Sequence, residues 1–187
     1  ISFGSTNFLY NNKLRKGDII VTYTGNYRDS SSVITTTFNN YYVNNKLIQG
    51  ERVVTNQGRN SDANLWFTID VNNASINTAN GIINWQSSRT REWIAGENTY
   101  LDLTDDLYKI TGTSSGNAVN GNDFTTNIID PLHVDLGCIY SCVTTSGTVQ
   151  VSPNSYTDRI INYGDSICDC EVDVIIEGTT YPILIGN

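Results

Sequence analysis

Four cysteines fall into two close pairs in the last fifty residues, Cys138 with Cys142 and Cys168 with Cys170. They could pair as disulfides, hold a metal ion or stay as free thiols. A zinc ribbon needs two Cys-x-x-Cys knuckles. Here the spacings are Cys-x-x-x-Cys and Cys-x-Cys, and the single histidine, His133, is a poor fifth ligand. Disulfides are the expected chemistry. They persist in oxidising compartments, so the chain is expected outside the cytoplasm, as a secreted, periplasmic or surface protein. One such bridge would contribute about 3 to 4 kcal/mol by the loop-entropy account.

A second constellation lies between Ile82 and Ile94. In an extended strand, Trp85, Ser87, Arg89, Arg91 and Trp93 share one side, while Asn84, Gln86, Ser88, Thr90 and Glu92 share the other. Interleaved Trp and Arg could stack on sugar rings or form the centre of a protein interface. The same pattern suits a strand whose tryptophans are core and whose arginines lie over them through cation–π contact. Trp66 joins Trp85 and Trp93 as a stacking candidate.

Catalytic parts are scarce. Asp102, Asp105 and Asp106, with Asn98 nearby, offer hard oxygen ligands for calcium, but their spacing is not that of an EF-hand loop. A solvated acidic loop is expected there, with no metal and no cofactor. His133 has no nucleophile in a recognisable motif, and Glu51, Glu92, Glu97, Glu171 and Glu177 are scattered. A non-enzymatic role follows. Asp165-Ser166-Ile167 resembles a short O-glycosylation signal at Ser166, and Asn73-Ala74-Ser75 is formally an N-linked sequon.

Composition narrows the class. The 187 residues suit one domain, and 39% apolar content is enough for a core. Only 16% of residues are charged, methionine is absent, and the net charge is −8. Acidity without a Lys or Arg cluster argues against nucleic acid. No apolar run approaches the length of a membrane-spanning helix.

The elements that must position these residues are strands. Ile19 to Thr24, Val33 to Val43, Leu47 to Thr55, Leu65 to Val71 and Ile82 to Ile94 alternate or run apolar between turn signals. Asn44-Asn45, Asn80-Gly81 and Asn120-Gly121 mark hairpins. Leu107 to Thr113 and Phe124 to Ile129 follow, with Pro131 closing the return strand. A hairpin over Gly147 to Tyr163 and another around Glu177-Gly178 finish the chain. No helical periodicity appears. The expected fold is all-β: an antiparallel up-and-down meander of about ten long strands, curled into a sandwich, an open barrel or a flattened roll. Both cysteine pairs lie about equally far from the Pro153-Asn154 tip. A strict ladder would nest Cys138 with Cys170 and Cys142 with Cys168, whereas a bulge, or the Gly164-Asp165 bend, could equally give Cys138 with Cys168 and Cys142 with Cys170.

Several signatures recur in a fixed order: Trp85-Gln-Ser-Ser-Arg-Thr-Arg-Glu-Trp93, Ile110-Thr-Gly-Thr-Ser-Ser-Gly116, Pro131-Leu132 ahead of Cys138, Ser146-Gly-Thr-Val149, Ile161-Asn-Tyr-Gly-Asp165 with Cys168-Asp169, and Gly178-Thr-Thr-Tyr-Pro-Ile183. From about Gly17 onward, the chain resembles a group of exported, often lipid-anchored β-proteins of Bacteroidota whose function is uncharacterised. The resemblance implies a bridge between Cys138 and Cys168, with Cys142 and Cys170 as an additional one. Exposed edges on long strands suit an accessory subunit of an outer-membrane or surface complex. A glycan is the alternative partner.

Overall fold

The computed structural model describes residues 1–99 and 101–186, and it is all-β. Twelve strands follow one another: β1 (Phe8–Tyr10), β2 (Lys13–Tyr23), β3 (Val33–Val43), β4 (Lys46–Arg59), β5 (Leu65–Thr78), β6 (Gly81–Ala95), β7 (Leu107–Asn117), β8 (Asp123–Asp135), β9 (Thr144–Pro153), β10 (Arg159–Asp165), β11 (Glu171–Ile176) and β12 (Thr179–Leu184). Each pairs antiparallel with the next, in sequence order, within one sheet. β1 and β12 are its two edges, and the sheet does not close. Among the described residues the only helical segment is a single 3-10 turn, Leu136–Cys138.

Turn chemistry fixes the meander. Asn11-Asn12, Asn44-Asn45 and Glu177-Gly178 each place two consecutive residues at positive φ, between 47° and 79°. That backbone twist matches the flanking strands of a two-residue hairpin. The first of these turns, and with it β1, lies ahead of Ile19, where the sequence pattern marks no strand. Thr78 pairs with Gly81, so the hairpin between β5 and β6 bends at Ala79-Asn80, one residue earlier than the Asn-Gly signal. Asn120-Gly121 sits inside a five-residue loop, where the Ala118 N–H donates to the Asn122 carbonyl and the Gly121 N–H to the Ala118 carbonyl. Pro131 does not end its strand. It falls at a register shift between Asp130 and His133, where the missing N–H costs no ladder bond, and β8 continues to Asp135.

Burial is concentrated in one corner. Val54, Leu65, Phe67 and Trp93 form the buried cluster, with Tyr27, Ile34, Ile69 and Tyr108 packed on it. Tyr41, Leu132, Cys138 and Val172 are buried elsewhere in the sheet. A compact monomer of 20.7 kDa would expose about 8,900 Å². This chain exposes 11179 Å². The sheet is therefore open and thinly covered.

Candidate binding surfaces

The strand β6 runs without a bulge from Asn84 to Trp93 against β7, so Trp85, Ser87, Arg89, Arg91 and Trp93 share one side of the sheet. Their environments differ. Trp93 is 5% exposed, and its indole N–H donates to Asp106 Oδ1 at 3.0 Å. The Arg28 guanidinium lies 4.6 Å from its ring centre, and Tyr108 packs against it at 5.5 Å. Trp93 is thus closed to a sugar or a partner, which corrects its place among the candidate stacking residues.

Arg91 is held in the same corner. Its guanidinium carbon lies 5.1 Å from the Phe67 ring, 5.2 Å from Tyr108 and 5.7 Å from Tyr27, and it donates to the Tyr27 hydroxyl. Tyr27 in turn stacks on Phe67 at 4.7 Å. The loop between β2 and β3 brings Tyr27 there, and Asn56, 1% exposed, ties that loop down. The Asn56 amide donates to the Tyr27 carbonyl at 3.0 Å, and the Ser31 N–H donates to the Asn56 carbonyl at 2.8 Å. Burial raises the Tyr27 and Tyr108 hydroxyl pKa values, and for Tyr108 the Asp106 carboxylate adds to the effect.

Asp106 is no solvated ligand. It is 1% exposed and also accepts from the Tyr108 hydroxyl at 3.1 Å, so it closes the loop that follows β6 onto the sheet. Gly96 makes that closure possible, because a Cβ there would collide with Asp106 Oδ1. Asp105 and Asp102 remain exposed, accepting from the hydroxyls of Thr99 and Thr104. The Thr104 hydrogen bonds lower the Asp102 pKa. No group of three or more His, Cys, Asp or Glu side chains among the described residues is placed to hold a metal ion.

Trp66 pairs with Glu92, whereas Trp85 and Trp93 are odd-numbered neighbours on the same straight strand. Trp66 therefore lies on the opposite side of the sheet, and no single sugar can stack on all three rings. Near Trp66, Glu92 gathers three donors: Asn60 Nδ2 at 2.7 Å and Asn64 Nδ2 at 2.9 Å on one oxygen, and Lys109 Nζ at 2.7 Å on the other. The Asn64 and Lys109 hydrogen bonds hold its carboxyl at about 2, well below its usual 4.5. In the sequence Glu92 is one of several scattered glutamates. Its only advance signal was the alternation that set it opposite the aromatic side.

The side bearing Trp66 also carries the grooves. One of about 610 Å³ and a second of about 500 Å³ cross β5 to β8 side by side and share Gln86, Ser115 and Thr125. Asn84 and Asn117 line the first groove, and Ser88 and Asn127 the second. Gln86 donates to Ser115 Oγ at 3.3 Å. Among the described residues no Lys or Arg lines either groove. Trp85, Gly116 and Phe124 also line the first groove. Trp85 is half-buried and pairs with Gly116, and Phe124 leans across that glycine, whose Cβ would lie 2.9 Å from the ring. Arg89 shares the Trp85 side of the strand and is exposed.

The cysteines form Cys138–Cys168 and Cys142–Cys170. This is the bulge-tolerant pairing, and the register of β9 against β10 does shift between Asn162 and Asp165. The bridges fasten the segment after β8 to the link between β10 and β11. Ser166 is exposed on that link at φ 78°, with its hydroxyl 3.4 Å from Ser146 Oγ. Asn73 is exposed at a bulge in β5. His133 is exposed on β8 between Lys109 and Ser146.

Two disulfides are the chemistry of an oxidising, extracytoplasmic environment. No helix among the described residues is long and apolar enough to cross a membrane. The chain matches no protein-family model, no curated protein and no solved structure.

Proposed function

We propose that this chain is a non-enzymatic structural or accessory subunit of a complex at the bacterial outer surface. The observation that carries the reading is the open sheet, whose 11179 Å² of accessible surface is about a quarter more than a compact chain of its mass exposes. Both edges carry exposed apolar side chains: Phe8, Leu9 and Tyr10 on β1, and Tyr181, Ile183 and Leu184 on β12. A sheet of this kind gains by docking onto other protein. Lipid anchoring belongs to the same proposal. Purification from the native envelope in mild detergent, followed by mass spectrometry of intact complexes, tests it. Stoichiometric travel with an outer-membrane or surface assembly is expected, and a chain that runs alone overturns it.

A second reading draws on the polar grooves. Planar amides and hydroxyls in rows, with no basic residue, suit an uncharged polyhydroxyl chain, a neutral glycan, and Trp85 and Phe124 are the aromatic residues in the first groove's lining. Retention on neutral polysaccharide that is lost in Gln86→Ala and Trp85→Ala would favour it. Equal retention in both variants removes it.

A further inference from the structure

The two edges of the sheet differ in charge and match in backbone. Residues 110–187 hold nine acidic side chains against one basic one, Arg159, and so account for the whole net charge of −8; residues 1–109 balance ten against ten. At one edge, β1 (Phe-Leu-Tyr) is uncharged and its neighbour β2 carries Lys13, Arg15 and Lys16 against the single acidic Asp18. At the other, β12 (Thr-Thr-Tyr-Pro-Ile-Leu) is uncharged and its neighbour β11 carries Glu171 and Asp173. Natural edge strands are often protected by charges of their own. These two have none.

Hydrogen-bond parity shows which groups face outward. Leu14 directs its N–H and C=O toward Asn44 on the β3 side, so its partner Leu9 points both groups off the β1 edge. The Ile185 N–H donates inward to the Cys170 carbonyl at 2.8 Å, so Thr180, Pro182 and Leu184 face outward from β12. Pro182 therefore removes one outward donor and leaves the backbone groups of Thr180 and Leu184. The sheet has twelve strands, an even number, so a copy displaced without inversion sets its β1 antiparallel to β12.

We propose that copies of this chain associate head to tail through their sheet edges, β12 of one copy pairing with β1 of the next. The inference rests on the structural-subunit reading and names one partner for it. Opposite charges flanking an uncharged seam steer the correct edges together and disfavour like edges. Because the contact joins two different surfaces, it extends into an open chain of copies rather than closing as a dimer.

The test uses the purified, oxidised chain, with light-scattering mass measured across a concentration series and negative-stain microscopy of the concentrated sample. The expected result is a mass that grows with concentration beyond two copies and weakens as salt is raised, because screening shortens the reach of the flanking charges. Pro182→Val restores the outward donor without touching the pairing to β11, and should lower the concentration for half-assembly about tenfold, the value of one hydrogen bond. Leu9→Pro, checked for fold by circular dichroism, should give monomers. A wild type and a Pro182→Val variant that both stay monomeric overturn the proposal. A mass that stops at two copies overturns it, as does assembly indifferent to Pro182→Val. If it falls while the native-envelope purification still yields a complex with unlike subunits, the accessory reading survives without it.

Discussion

At the corner where β4 to β7 meet the loops after β2 and β6, the sheet is held by burial. Phe67 is fully buried beneath Tyr27, Arg91 lies among three rings, and Trp93 and Asp106 satisfy each other's polar groups. Across β9 to β12 the picture reverses. Thr145 and Val172 are the buried residues of those strands, β12 is exposed along its whole length, and two disulfides clamp the adjoining links. Where loops fold back over the sheet, apolar contact stabilises it; where nothing folds back, covalent staples stand in. Small disulfide-bonded domains make the same substitution when their core is thin.

The sharpest way to break that contrast is to remove burial from the buried corner. Phe67→Ala should cost about 3 to 5 kcal/mol, because a fully buried ring is lost and Tyr27 and Arg91 lose their packing surface together. Urea unfolding would read the loss. Native-state hydrogen exchange should show it first in β4 to β7, leaving β10 to β12 protected until global unfolding. Uniform deprotection would mean that the two regions are one cooperative unit.

The opposite perturbation is Cys142→Ser with Cys170→Ser. The bridge spans 28 residues, for which loop entropy assigns about 3.5 kcal/mol. The expected exchange pattern is the mirror image: β10 to β12 open while the amides of β4 to β7 hold. Retention of Cys138–Cys168 should keep the fold, since the two loops overlap and the second closure adds less than the first.

Legibility in the sequence follows from the same contrast. The meander was readable because each reversal carries its own chemistry, as at Asn44-Asn45 and Glu177-Gly178, and because β5 alternates cleanly from Leu65 to Val71. β1 was missed because three residues cannot establish a period, and its Asn11-Asn12 turn resembles any polar tract. The shared side of Trp85, Arg89, Arg91 and Trp93 followed from strand parity alone. Their separate fates did not, because Trp93 is buried by Arg28, Tyr108 and Asp106, contributed by two loops and a neighbouring strand. Alternation shows which side a residue faces, not whether a loop will cover it. Strand spacing alone left the cysteine pairing open for a similar reason: the Gly164-Asp165 bend was visible, but whether it shifts the ladder shows only in the register.

The smallest effect expected lies outside both regions' main supports, at Glu92. Its carboxyl falls from 4.5 to about 2 on folding, through hydrogen bonds from Asn64, Lys109 and Asn60. A depressed carboxylate pKa means that the unfolded chain takes up the proton more readily. The contribution is therefore complete above about pH 4.5 and is lost as pH falls through about 2. Allowing for the partly exposed Lys109, it is about 2 kcal/mol. Glu92→Gln should lower the urea midpoint at pH 7, and the gap to wild type should narrow steadily from pH 5 to pH 2. A gap that stayed constant with pH would show that Glu92 acts by packing alone, and would move the β6–β7 pairing at Lys109 from the electrostatic account to that of the buried corner.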